Sequence, residues 1–409
     1  MAKLGILTYH RSLNYGAVMQ AYALATELQK RFPHAEVEII DYMSRRMDRY
    51  YKMITLYRGK DSILHLRERV EMYKAFQRGL QALPLSSERL CTDAPQRVER
   101  WLAGRYDVII VGSDAVWNYN KRGLPNPYFP TEAHGSRYMS YAASCNGLGL
   151  SSFAAIRPQD RAGMEASFPT FSYIGVRDQQ TEALVHALCP TLPVYHNCDP
   201  SLFLRDLRRA DRSALLEKLE KKYHFDPKKP TIAYMLSNHN GAFKKELASR
   251  LRARYGTQYQ TVSLYAYDPY ADIPYIADLT PQEWSIFFGL CKLTISKYFH
   301  GTLFSLLNGT PVIAVGAEKT IEGLPNKITD VLERLGLGAY YFATENGAFS
   351  AWDTLFAQID TCLADPDSLH IEERLAAERA SAESFFVRLQ SMLDGRDGAV
   401  PDEVIPQNV

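Results

Sequence analysis

One repeated alternation constrains this chain most: short aliphatic, β-branched runs end in turns bearing Gly, Asp or His and lead into segments with helical spacing. Such runs stand at residues 4–9, 37–41, 106–111, 138–143, 173–176 and 194–198, and again at 231–236, 261–265, 293–296 and 311–315. Strands alternating with helices call for a parallel sheet with helical crossovers. Between the two series lies a charged stretch that includes Lys218 to Lys222 and Asp226-Pro227-Lys228-Lys229-Pro230, the composition of a boundary. The expectation is therefore an α/β protein with two Rossmann-like domains facing across a cleft. Residues 1–205 form the first domain, 206–230 the linker, 231–370 the second domain, and 371–409 a C-terminal helix with a frayed tail. A chain of 409 residues suits two cores better than one.

Helical spacing covers residues 17–30 and roughly 44–88. Thr280-Pro281-Gln282-Glu283 carries a cap, a Pro at the first helical position and a Glu at the capping-box distance, so a helix begins there and leads into the 293–296 run.

Charge and cysteine content narrow the function classes. With 47 Lys+Arg against 46 Asp+Glu, no global field favours nucleic acid. No apolar run approaches the ~20 residues of a membrane-spanning helix, and the N-terminus enters a strand at once, so a cytoplasmic protein is expected. Cys91, Cys145, Cys189, Cys198, Cys291 and Cys362 lack metal-ligand spacing and read as reduced thiols, with no metal expected. The crowding of Arg45, Arg46, Arg49, Tyr50, Tyr51, Lys52, Tyr57, Arg58 and Lys60 has two readings: a solvated helix face, or a patch that meets the inner face of a membrane.

Candidate chemistry lies in the strand-end turns, because open α/β sheets bind ligands beyond the carboxyl ends of their strands. The loop 9–16 offers Asn14, Tyr15 and Gly16 with a helix N-terminus. It lacks the glycines of the dinucleotide fingerprint and the Gly-Lys-Ser/Thr of a phosphate loop, and a plain turn with a buried Tyr is the competing reading. In Gly112-Ser113-Asp114-Ala115-Val116-Trp117-Asn118, the polar Ser113, Asp114 and Asn118 suit sugar hydroxyls and Trp117 a stacking wall. The alternative there is Asp114 as a helix cap and Trp117 in the core. Arg177 can clamp a carboxylate or phosphate with two parallel N–H bonds, or serve locally beside Asp178. Asp199-Pro200 reads as structural. His300-Gly301-Thr302 precedes an expected helix over 302–308 that ends at Gly309, with Lys297 beside it and Lys319 and Lys327 within loop reach. A serine hydrolase would carry G-x-S-x-G at such a turn, and none is present.

Taken in order, these motifs resemble the polysaccharide pyruvyl transferase family. The resemblance rests on Asn14-Tyr15-Gly16-Ala17-Val18-Met19-Gln20, Gly112-Ser113-Asp114-Ala115-Val116-Trp117-Asn118, Ser140-Tyr141-Ala142-Ala143-Ser144, Val176-Arg177-Asp178, Asp199-Pro200 and Phe299-His300-Gly301-Thr302. It departs before His300, where Lys297-Tyr298 replaces the small polar or Arg residues of relatives.

The resemblance implies a glycosyltransferase-B-like fold. It also implies transfer of pyruvate from phosphoenolpyruvate, as donor substrate and with no cofactor, to two hydroxyls of a lipid-linked or nucleotide-linked sugar, forming a cyclic ketal and phosphate. The family's Arg, His and Lys fall on Arg177, His300 and Lys327, with Lys319 as the competing lysine. Gly301, Thr302 and Lys297 join the donor side, and Asn14, Asp114 and Asn118 the acceptor side. Two other readings stay open: a glycosyltransferase using a nucleotide sugar, and a non-catalytic glycan-binding homologue.

Overall fold

The computed structural model describes residues 1–56, 65–132, 135–146, 150–236, 240–264, 266–345 and 349–396. Strands β1 (Lys3–Leu7), β2 (Glu36–Ile39), β3 (Val108–Val111), β4 (Arg137–Ala143), β5 (Phe171–Val176) and β6 (Tyr195–His196) form one parallel sheet in the order β2-β1-β3-β4-β5-β6. A second parallel sheet holds β7 (Thr231–Met235), β8 (Gln260–Ser263), β9 (Cys291–Ser296), β10 (Val312–Gly316) and β11 (Tyr341–Ala343), ordered β8-β7-β9-β10-β11. Strand β11 was not anticipated from the sequence. Its three residues, Tyr-Phe-Ala, are too few to show a period.

The helices used below are α1 (Tyr15–Arg31), α2 (Arg45–Leu56), α3 (Leu66–Leu80), α4 (Gln179–Leu188), α5 (Pro281–Phe287), α6 (Phe299–Leu307), α7 (Lys327–Arg334), α8 (Ile371–Arg379) and α9 (Glu383–Leu393). All four residues of β3, Val-Ile-Ile-Val, are buried, as expected of a parallel strand covered by helices on both faces. The capping box at Thr280 is formed in both directions and starts α5. Of the helical region expected over 44–88, residues 57–64 lie outside the described residues, as do 397–409 of the tail.

In both sheets the strand order reverses beside the first strand, at β1/β3 and at β7/β9. Such a switch point leaves a crevice at the strands' carboxyl ends, because the two neighbouring connections run to opposite faces. The turns after β1, β3 and β9, with the turn after β5 that carries Arg177, are the ones whose residues suggested chemistry.

The stretch 206–230 is not a bare connector: it carries a helix, Ser213–Tyr223, whose Leu215 and Leu219 are buried and whose Lys218 Nζ donates to Glu283 Oε2 at 2.9 Å. The chain end returns to the first sheet. Phe385 of α9 packs on Tyr141 and Tyr173, with ring centroids 4.8 and 5.5 Å apart, and Ser384 Oγ lies 2.8 Å from the Tyr173 hydroxyl. None of the six cysteines forms a disulfide.

Candidate functional site

A cavity of about 120 Å³ lies where the two switch points face each other. Its walls come from both halves: Asn14, Tyr15, Gly16, Asp114 and Arg177 on one side, and Met235, Trp284, Tyr298 to Gly301 and Lys327 on the other. Three helices begin at this cavity. Tyr15 opens α1, Phe299 opens α6, and Lys327 opens α7. Each N-terminus brings the positive end of a helix dipole to the cavity, which favours an anion, while side-chain caps take up Ala17 N–H in α1 and Ile328 and Thr329 N–H in α7.

His300 sits in the first turn of α6, which starts at Phe299 and not after His300 as the sequence suggested. Tyr298 supplies the extended cap residue, so the helix takes in the whole Phe-His-Gly-Thr motif. The imidazole Nε2 lies 3.3 Å from Gln20 Oε1 and 3.6 Å from Asp199 Oδ2. Both oxygens lie where a ring N–H at Nε2 would donate. Gly16 makes this approach possible: a Cβ there would stand 2.1 Å from His300 Cγ. Gly16 and Gln20 are four residues apart on α1 and so present one face to the ring. Gly301 is constrained in the same way, since a Cβ would meet Ser296 Oγ at 2.5 Å.

Arg177 follows β5 and is almost fully buried, with Nη1 donating to Asp199 Oδ2 at 2.8 Å and the guanidinium carbon 4.4 Å from the Phe299 ring centroid. Its Nε–H has no acceptor, so the group is only partly satisfied. Burial acts to lower its pKa, but Asp199, Asp114 and Asp178 outweigh it and the pKa is raised. For Asp199, burial acts to raise the pKa, yet hydrogen bonding from His300 and the charges of His300 and Arg177 hold the carboxyl well below the usual range. Asp199 thus joins Arg177 to His300 across the two halves. Next in sequence to Arg177, Asp178 caps α4 by accepting from Thr181 N–H at 2.9 Å.

Of the two competing lysines, Lys327 lines the cavity, with Nζ donating to Asn146 Oδ1 at 2.7 Å. Lys319 is exposed and is not among the lining residues. Lys297 also turns elsewhere, forming an ion pair with Glu345 at 2.9 Å. Asn14 caps α1 by accepting from Ala17 N–H at 3.3 Å, and Asp114 Oδ1 accepts from Ala115 N–H at 2.7 Å while facing the cavity.

Besides Lys319 and Lys297, four expected binding residues do not line it. Trp117 is no stacking wall: it is fully buried among Phe129, Phe168 and Phe171, and its Nε1–H donates to Tyr128 O at 3.1 Å. Ser113 is fully buried with an unpartnered hydroxyl, and its carbonyl accepts from Thr8 Oγ1 at 2.9 Å. Asn118 is buried on the same turn. Thr302 turns its hydroxyl back to Tyr298 O, at 3.1 Å.

Conversely, Asp199, Gln20 and Asn146 reach this site without having been singled out for it. Asp199 read as structural because an Asp-Pro turn explains itself locally. Gln20 was visible only as one letter of a motif, although its spacing from Gly16 marks a shared helical face. Asn146 sits at φ 61, a left-handed conformation that Asn tolerates better than most residues and that sequence does not announce. Among the described residues no group of three or more His, Cys, Asp or Glu is arranged to hold a metal ion.

The fold is similar to that of the UDP-GlcNAc 2-epimerase from Neisseria meningitidis bound to UDP-GlcNAc, with TM-score 0.52 and 10% identity over 96% of this chain and 100% of that one. It is likewise similar to the trehalose-6-phosphate synthase OtsA, with TM-score 0.52 and 12% identity over 95% and 99% of the two chains. Identities this low establish the fold alone, the glycosyltransferase-B arrangement of two Rossmann-like domains. No curated protein sequence matches the chain. The sequence model of the polysaccharide pyruvyl transferases matches residues 14–318, which takes in the cavity turns of both halves except Lys327, and the chain belongs to the polysaccharide pyruvyl transferase family.

Proposed function

We propose that the protein transfers pyruvate from phosphoenolpyruvate to two hydroxyls of a saccharide acceptor, lipid-linked or nucleotide-linked, forming a cyclic ketal and releasing phosphate. The observation that carries this reading is the meeting of three helix N-termini with Arg177, His300 and Lys327 at one small cavity. Its volume of about 120 Å³ falls below the several hundred Å³ usual for drug-sized ligands, which suits a compact, highly charged donor.

In this mechanism the donor's methylene carbon takes a proton, and the neighbouring carbon, now cationic, is attacked by a sugar hydroxyl that gives up its own proton. Phosphate then leaves with the electrons of its C–O bond, and the second hydroxyl bonds to the carbon left cationic, giving up its proton to the departed phosphate as the ring closes. Arg177 holds the carboxylate or phosphate, which also gives its Nε–H an acceptor. Lys327 neutralises the phosphate from the opposite wall. His300, its ring fixed by Asp199 and Gln20, moves protons or donates to the phosphate side. Asn14 and Asp114 face the acceptor.

A glycosyltransferase using a nucleotide sugar is the second reading, favoured by the shared fold. Phosphate release from phosphoenolpyruvate across a panel of sugar acceptors, lipid-linked ones included, tests the first. Acceptor-dependent release supports it. Transfer from a nucleotide sugar, with none from phosphoenolpyruvate, replaces it with the second.

A further inference from the structure

Among the described residues, the exposed large apolar side chains other than Met1 are Tyr50, Met53, Leu66, Tyr267 and Tyr270. They are not scattered. Tyr50 and Met53, 51% and 58% exposed, lie three residues apart on α2, and Leu66 opens α3, the helix against which α2 packs. Tyr267 belongs to the second domain, yet its ring stacks on His65 with centroids 4.3 Å apart, and Tyr270 follows it. Both halves therefore contribute to one apolar rim.

The rim is also cationic. Among the described residues Arg46, Arg49 and Arg67 are exposed and form no ion pair, with Asp93 Oδ1 accepting only from the backbone N–H of Arg46, while Lys52 and Arg89 share the single acid of α2, Asp48. Exposed apolar side chains with uncompensated arginines match the interface of an anionic bilayer, where rings and thioethers enter the headgroup layer and guanidinium groups meet lipid phosphates. The rim is also joined to the cavity. Helix α3 runs from Leu66 to Phe76, about 15 Å along its axis, and Phe76 packs on Tyr15, which in turn packs on Trp284 in the cavity wall.

We propose that α2, the start of α3 and the Tyr267–Tyr270 loop form a docking surface for an anionic lipid membrane, from which a lipid-linked acceptor enters the cavity. The second part rests on the transferase reading above; the docking itself does not. The test is co-sedimentation of the full chain with vesicles rich in phosphatidylglycerol and with vesicles of phosphatidylcholine alone. Binding is expected to the anionic vesicles and to weaken in high salt. It should fall about tenfold or more in an Arg46→Glu/Arg49→Glu variant and fall again in Tyr50→Ser/Met53→Ser, whereas Arg161→Glu on the helix Pro158–Ser167, outside the patch, keeps it. A circular dichroism spectrum matching wild type shows that the variants are folded. No vesicle binding, binding indifferent to lipid charge, or an α2-dependent dimer in place of vesicle binding would overturn the proposal. Because docking is read without turnover, an inactive transferase leaves this result interpretable.

Discussion

The turn after β3 and the turn after β9 stand at matching switch points of their sheets, and both carry a run of polar residues. They use those residues differently. From Gly112-Ser113-Asp114-Ala115-Val116-Trp117-Asn118 only Asp114 reaches the cavity, while Trp117 anchors the first domain's core and Ser113 is sealed under it. From Tyr298-Phe299-His300-Gly301-Thr302, all but Thr302 line it. The reason is helix geometry. The second motif lies in the first turn of α6, whose opening residues line the cavity, whereas the first motif leads into a single helical turn, Tyr119–Arg122, and its Trp117 turns back into its own domain. Motif letters mark a turn as worth inspecting; the chain direction after it decides which side chains reach the ligand.

The contrast is sharpened by paired substitutions. His300→Ala should lower turnover by about 10²- to 10⁴-fold with the fold retained, while Trp117→Ala should cost about 3–5 kcal/mol of stability and leave the KM of the folded fraction unchanged. Thermal melts and steady-state kinetics on both variants decide it. A stable Trp117→Ala protein with a raised acceptor KM would restore the stacking role. Next in size, Lys327→Ala should raise the KM for phosphoenolpyruvate about tenfold or more, the scale of one lost charge-assisted hydrogen bond. Lys319→Ala should leave it unchanged, and the reverse outcome would move the phosphate contact to Lys319.

The pH dependence tests the Arg177–Asp199–His300 link. A carboxyl held below its unfolded value of about 3.9 contributes stability that is complete above that pH and is lost as pH falls toward its folded value. The wild-type melting temperature should therefore drop more steeply below about pH 4 than that of Asp199→Asn, with the difference between the two as the readout, since Asp41 and Asp278 are depressed as well. Parallel curves would remove Asp199 from the link. The smallest effect belongs to Ser113→Ala. Its hydroxyl has no partner to lose, so stability and activity should stay within about 0.5 kcal/mol of wild type.

Much of the fold was legible because parallel strands buried on both faces advertise themselves as aliphatic runs, and because Thr280 and Gly309 mark a helix start and a helix end by local chemistry. At the site, His300, Arg177 and Asp114 were readable from their place just beyond strands. Local sequence carried no sign that Asp199 of the first domain and His300 of the second would pair, or that Asn146 would meet Lys327, since each contact is made only when the two sheets face each other. Trp117 misled for a related reason: an aromatic beside polar residues looks the same whether the chain turns it toward a ligand or into a core.

The proposed donor in this cavity is phosphoenolpyruvate, its phosphate held by Lys327. Calorimetric titration of phosphoenolpyruvate, and separately of a nucleotide diphosphate, into wild type and Lys327→Ala tests it most directly. Saturable binding of phosphoenolpyruvate by wild type, weakened by the substitution and unmatched by the nucleotide, is the predicted result. Nucleotide binding with no heat from phosphoenolpyruvate would contradict it.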